Sequence, residues 1–205
     1  MKKFLKKANR GVLLAGFALF LLVIYIYADY SGFSEEQPKI QETVENYIED
    51  FYKELSENDY EGIYKLVDEY WSDELIMLGN NRYYEDKEAL SQFFEENINY
   101  KHKDKYGETS CTINILTVSK LGPGMAKARV NYSAEMELGA DTYYHSPFLS
   151  YKESGYGYDE ENNNRYIYTV VYQFEICLRK VDDEWKLVQA TGSEQDRHVK
   201  IKESE

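Results

Sequence analysis

The segment 125-MAKARVNYSAEMEL-138 decides the fold. Ala126, Ala128, Val130, Tyr132, Ala134, Met136 and Leu138 take one side of an extended chain, and Lys127, Arg129, Asn131, Ser133, Glu135 and Glu137 take the other. A period of two with one apolar side marks a strand that is covered on one face and wet on the other. The stretch 168-YTVVYQFEICL-178 repeats the pattern, with Tyr168, Val170, Tyr172, Phe174, Ile176 and Leu178 inward. Upstream, Thr109–Val118 is β-branched and alternates at Cys111, Ile113 and Ile115, and Gly122-Pro123-Gly124 supplies the turn that follows. Downstream, Asp182-Asp183 makes a tight turn and Trp185–Ala190 is expected as the closing strand. The polar tail from Ser193 is expected to fray.

Ahead of these strands the period is helical. Ile40, Val44, Tyr47, Ile48, Phe51, Tyr52 and Leu55 recur at helix spacing, with acids between them. Asn58 followed by Glu61 predicts a helix start, and Tyr60, Ile63, Tyr64, Val67 and Tyr70 form its stripe. Leu75–Leu78, the turn residues 79-GNN-81 and Arg82–Tyr84 read as a short hairpin. Asp86 predicts the cap of a third helix striped by Leu90, Phe93, Phe94 and Ile98. Helices gathered before an antiparallel meander specify an α+β domain, with three helices on one face of a curved sheet. The small residues Ala126, Ala128 and Ala134 leave room on that face, which bulky helix side chains such as Phe51 or Phe93 are expected to take.

The 205 residues carry a net charge of −13, unevenly spread. Lys2, Lys3, Lys6, Lys7 and Arg10 put +5 on the first ten residues, which leaves −18 on everything after them. An acidic chain of this kind lacks the clustered cations that phosphate backbones require, so nucleic acid is not expected as a partner. Between the two charge blocks, residues 11–28 read GVLLAGFALFLLVIYIYA, without a charge. Eighteen helical residues span about 27 Å, close to the roughly 30 Å of a hydrocarbon core. Tyr25, Tyr27 and Tyr30 lie where an interfacial aromatic belt is found. Ile26 and the neighbouring tyrosines are poor residues for a cleavage site, so the run is expected to remain as an anchor. The expected organisation is a cytoplasmic tail (1–10), a transmembrane helix (11–28), a linker (29–38), an outward-facing domain (39–193) and a polar tail (194–205). The basic flank places the N-terminus in the cytoplasm of a single-pass cell-membrane protein.

Three stretches carry a family resemblance: 44-VENYIEDFYKELSENDYEGIYKLV-67, 85-EDKEALSQFF-94 and 177-CLRKVDDEWKLVQATG-192. They resemble, in order, the broken helix pair, the Gly-Lys/Arg-Glu-Ala-Ile-Xaa-Xaa-Phe-Phe segment and the closing hairpin of the nuclear transport factor two-like superfamily. That superfamily includes ketosteroid isomerase and the SnoaL-like cyclases. The resemblance covers residues 38–193 and implies a cone-shaped α+β domain. A membrane anchor ahead of such a cone is similar to the single-pass subunits of conjugation and type IV secretion machines, and to the accessory domain ahead of some penicillin-binding proteins. Residues 139–165 form a longer insertion than the family's simple hairpin turn.

Chemistry is harder to locate. Enzymes of the resembled fold use a cavity with an Asp, His or Tyr as acid–base group, and Tyr47, Tyr64, Asp68 and Trp71 are the residues expected near its mouth. Asp68 sits beside Glu69 at a helix end, where a solvated acid is the ordinary reading, and no residue is assigned a catalytic role. His102, His145 and His198 stand apart, without a second His or Cys at ligand spacing, so no metal and no cofactor is expected. Cys111 and Cys177 lie on faces of opposite character, which argues against a disulfide. The insertion gathers Tyr143, Tyr144, His145, Phe148, Tyr151, Tyr156 and Tyr158. Aromatic rings with polar tips suit interfaces, so these seven are the candidates for contact with a partner or ligand. The expected role is a non-enzymatic binding or assembly subunit of the cell envelope, with other envelope proteins and further copies of the chain as its candidate partners. The alternative is a SnoaL-like enzyme or ligand carrier that uses the cone cavity.

Overall fold

The computed structural model describes residues 10–73, 76–78, 82–98, 106–139 and 165–202. The chain forms two compact units, Met1–Pro38 and Lys39–Glu205. Helix α1 runs Arg10–Glu57, α2 Tyr60–Tyr70 and α3 Lys87–Ile98. Strands β1 (Ile76–Leu78) and β2 (Arg82–Tyr84) precede α3, and β3 (Tyr106–Gly122), β4 (Met125–Gly139), β5 (Arg165–Val181) and β6 (Glu184–Ile201) follow it. All six strands join in one sheet of order β2-β1-β6-β5-β4-β3.

Within the first unit the apolar residues Phe17, Leu19, Phe20, Val23 and Ile26 are exposed. This helix is long and apolar enough to cross a membrane, by length and composition. The linker expected at 29–38 is helical instead, and Pro38 lies inside α1. Proline deletes one ladder hydrogen bond and crowds one carbonyl. Good helix formers on both sides, Glu35, Glu36 and Gln37 before it and the stripe from Ile40 after it, keep the remaining ladder.

In the second unit the helical stripes are buried as their spacing demands. Ile40, Val44, Ile48, Tyr52 and Leu55 are buried on α1, and Ile63, Leu66, Val67 and Tyr70 on α2. The break between these helices is made by Asn58 in the left-handed region at φ 56°. Its N–H donates to the Leu55 carbonyl at 3.2 Å, closing α1. The N-cap of α2 is therefore Asp59, one residue later than the Asn58 expectation, and its carboxylate accepts from the Gly62 N–H at 2.9 Å. Asp86 caps α3 as expected, accepting from the Ala89 N–H at 2.9 Å.

The meander is antiparallel throughout, with Tyr132 opposite Tyr172 and Phe174 opposite Gly192. Asp182 and Asp183, at φ 48° and 69°, form the tight turn between β5 and β6. Its inward residues Ala126, Ala128, Val130, Ala134, Val170, Ile176, Leu178 and Leu187 are buried. The expected end of the last strand at Ala190 is corrected, because β6 continues to Ile201. Arg197, Val199 and Ile201 pair with Val170, Tyr168 and Tyr166, so the first half of β5 satisfies the backbone of a segment whose side chains read as a polar tail. Parallel pairing of Met77 with Gln189 ties the small hairpin to β6. The Ser72 N–H donates to the Leu187 carbonyl at 2.9 Å and fixes the end of α2 at the same strand.

Candidate functional site

The concave face of the sheet is where this fold presents side chains to its helices, and here that face is made of phenols. Tyr52 reaches down from α1, and its hydroxyl donates to the Tyr132 hydroxyl at 3.3 Å. The Tyr132 ring lies 5.8 Å from Tyr52, 5.6 Å from Tyr172 and 5.5 Å from Phe174. Centroid separations of this size are ring contact and leave no space between the rings. Phe174 lies against β6 because its neighbour there is Gly192. A Cβ at that position would stand 2.7 Å from the Phe174 ring. Thr109 donates to the main-chain carbonyl of Tyr52 at 2.8 Å, which fastens the centre of the cluster to the start of β3.

Burial sets the electrostatics of these groups. It raises the Tyr52 and Tyr132 phenols far above their ordinary value and pushes Tyr47 up to about 12. All three are therefore neutral hydrogen-bonding groups near neutral pH, and none is a general base there.

The sequence reading did not find the polar end of this surface. Glu194 lies opposite Tyr172 in the register, and Arg197 lies opposite Val170, across the register shift between Val171 and Tyr172. Arg197 Nε donates to Glu194 Oε1 at 3.1 Å. Burial raises the Tyr168 and Tyr172 phenols, and the charges of Glu194 and Arg197 act on both. The irregular pairing hid this pair, because simple alternation from Trp185 does not carry through it. The aromatic part was legible, since Tyr132, Tyr168, Tyr172 and Phe174 share the inward parity.

The four expected cavity residues separate. Tyr47 and Trp71 come together, with ring centroids 5.9 Å apart at 84°, and Tyr70 stands 5.5 Å from Tyr47. Tyr64 is half-buried on α2. Asp68 is exposed, and its main-chain carbonyl accepts from Lys87 Nζ at 2.9 Å. The seven insertion residues, Tyr143, Tyr144, His145, Phe148, Tyr151, Tyr156 and Tyr158, lie outside the described residues. His198 is exposed beside Asp196. Among the described residues, no group of three or more His, Cys, Asp or Glu is placed to hold a metal ion. Cys111 and Cys177 are free thiols.

No protein-family model and no curated protein matches the chain. Solved structures do. The Kfla4162 protein from Kribbella flavida is similar at TM-score 0.50 and 11% identity, over 80% of this chain and 94% of that one. A ketosteroid isomerase-like protein from Erwinia carotovora atroseptica is similar at TM-score 0.47 and 15% identity, over 79% and 98%. A hexachlorocyclohexane dehydrochlorinase, LinA-type3, from Novosphingobium barchaimii is similar at TM-score 0.49 and 11% identity, over 81% and 93%. The chain has the nuclear transport factor two-like fold. Likeness at these identities concerns the fold alone, and the nuclear transport factor two-like cone hosts unrelated functions.

Proposed function

We propose that this chain is a single-pass membrane protein whose cone serves as a non-enzymatic binding or assembly module in the cell envelope. A conjugation or secretion channel is the kind of assembly meant. The observation that carries the reading is the closed phenolic face. Tyr132, Tyr172 and Phe174 are in mutual ring contact and Tyr52 packs on Tyr132, so the position where a substrate would sit between helices and sheet is taken by the chain's own rings. The exposed apolar stretch of α1 supports the anchor, and the +5 tail ahead of it supports a cytoplasmic N-terminus. The seven aromatic and histidine residues of the insertion are the proposed contact surface.

Two measurements test this. A single cysteine introduced at Glu184 in a chain with Cys111→Ser and Cys177→Ser reacts with a membrane-impermeant maleimide in intact cells if the cone lies outside. Labelling only after lysis refutes the orientation. Crosslinking in the native membrane, followed by purification of the anchored chain, is expected to recover a stable envelope partner. Recovery of the chain by itself refutes the assembly role.

One observation favours a second reading, a small-ligand site or enzyme in the cone. Glu194 and Arg197 stand on the inward side with Tyr168 and Tyr172, and a carboxylate beside phenols is the equipment of acid–base chemistry. On this reading Glu194→Gln abolishes turnover or ligand binding while the melting curve is retained.

A further inference from the structure

Strand β3 ends the sheet on one side, since only β4 pairs with it among the described residues. It is 17 residues long. Native edges are usually short, charged or interrupted by proline, because a long bare edge is a template for another strand. Here the eleven residues 109-TSCTINILTVS-119 carry no charge and no proline. Ser110, Thr112, Asn114, Leu116, Thr117 and Ser119 are exposed. In an acidic chain of net charge −13, a neutral stretch of this length is where a second copy can approach without like-charge repulsion.

The edge also has an internal symmetry. The register against β4 shifts between Ile115 and Thr117, so Leu116 is an extra residue bulged out of the strand. With Leu116 passed over, the sequence is nearly palindromic about Asn114. Ile113 matches Ile115, Thr112 matches Thr117, Cys111 matches Val118, and Ser110 matches Ser119. The faces match too. Cys111, Ile113, Ile115 and Val118 lie opposite the inward β4 residues Ala134, Tyr132, Val130 and Ala128, whereas Thr112 and Ser119 lie opposite the outward Ser133 and Lys127.

We propose that β3 is a homodimerisation edge, and that two copies of this chain pair antiparallel through it about a two-fold axis at Asn114. That axis sets isoleucine against isoleucine on the concave side. It sets threonine against threonine and serine against serine on the convex side, the cross-strand combinations that stabilise antiparallel sheets. An isologous interface requires such self-complementarity, in which residue i meets j and j meets i. A strand from an unrelated protein would not require it. The two six-stranded sheets then become one continuous sheet.

Disulfide scanning of the full chain in its native membrane tests the register, in a background of Cys111→Ser and Cys177→Ser. Asn114→Cys lies on the axis and forms a disulfide-linked dimer on mild oxidation. Ser110→Cys and Ser119→Cys each form no disulfide-linked dimer when expressed separately, and crosslink to one another when co-expressed. Asn114→Lys, or Thr112→Lys together with Thr117→Lys as a second exposed change, sets like charges opposite each other. Either lowers the dimer fraction of the detergent-solubilised chain roughly tenfold or more, with the circular dichroism spectrum unchanged. A monomer by light scattering overturns the proposal. So does a dimer that survives Asn114→Lys and gives no Asn114→Cys crosslink, because that dimer is held elsewhere, for example by the apolar helix. Equal crosslinking of Ser110→Cys expressed separately overturns the register.

Discussion

Gly192 does its work by lacking a side chain. The Phe174 ring occupies the space where a Cβ would stand at 2.7 Å, and the ring is hemmed in by Tyr132 and Tyr172 at 5.5 and 5.6 Å. Gly192→Val must therefore displace an aromatic ring from a packed cluster, and is expected to lower unfolding free energy by about 1–3 kcal/mol in urea titrations. The phenols make a second prediction at this scale. Burial raises the folded-state pKa of Tyr47 to about 12, and that of Tyr132 higher still, while an unfolded tyrosine ionises near its ordinary value of about 10. Between those values the folded chain holds protons that the unfolded chain has released. The stabilisation is thus complete below about pH 10 and is lost as pH rises through the folded values. Melting temperature measured from pH 9 to 12 should fall, and Tyr132→Phe should flatten the decline. Glu137 works in the opposite sense. Its hydrogen bonds to Lys202 and Arg165, at 2.8 Å each, hold its carboxyl below the usual carboxylate range. Its contribution is present above the unfolded value of about 4.3 and is lost as pH falls through the folded one. Glu137→Gln should lower the urea midpoint at pH 7, and its effect should shrink as pH falls through the folded value.

The elements end where single residues make them end. Asp59 and Asp86 each accept a main-chain N–H at 2.9 Å from the third residue onward. Alanine at either position should cost about 1 kcal/mol, read as a drop in thermal midpoint. The β5–β6 turn has φ 48° at Asp182 and 69° at Asp183, a turn whose second residue favours glycine. Asp183→Gly should stabilise the hairpin by about 0.5–1 kcal/mol, since the ion pair it removes, to Lys180 at 3.3 Å, is exposed and contributes little. Elements like these were readable because their signals are local. Asp86 and the Asp-Asp turn announce themselves in four residues, and the alternation of β4 announces a strand in fourteen. The second half of β6 did not, because its side chains are polar and only its pairing with Tyr166, Tyr168 and Val170 makes it a strand. The Glu194–Arg197 pair was hidden for the same reason. The cap of α2 was displaced by one residue because Asn58 adopts the left-handed conformation that ends the preceding helix. The linker expected over 29–38 contains Gly32 and Pro38, whose local preference for a break is overridden by the helix formers around them.

Across the whole molecule, the meander joins strands that are neighbours in sequence, β3 to β4, β4 to β5 and β5 to β6. One pairing does not follow this rule. Met77 in β1 pairs with Gln189 in β6, and Ser72 donates to Leu187 beside it, so partners roughly a hundred residues apart close the sheet. On a ribosome, α1 and α2 emerge well before the strand that completes the surface beneath them. At about 5–20 residues per second, the buried stripe of Ile63, Val67 and Tyr70 waits several seconds for Leu187 to be made. The C-terminal strand is therefore the latch of biogenesis. A nascent chain truncated before Trp185 should stay protease-sensitive, and one extended past Ile201 and clear of the exit tunnel should not.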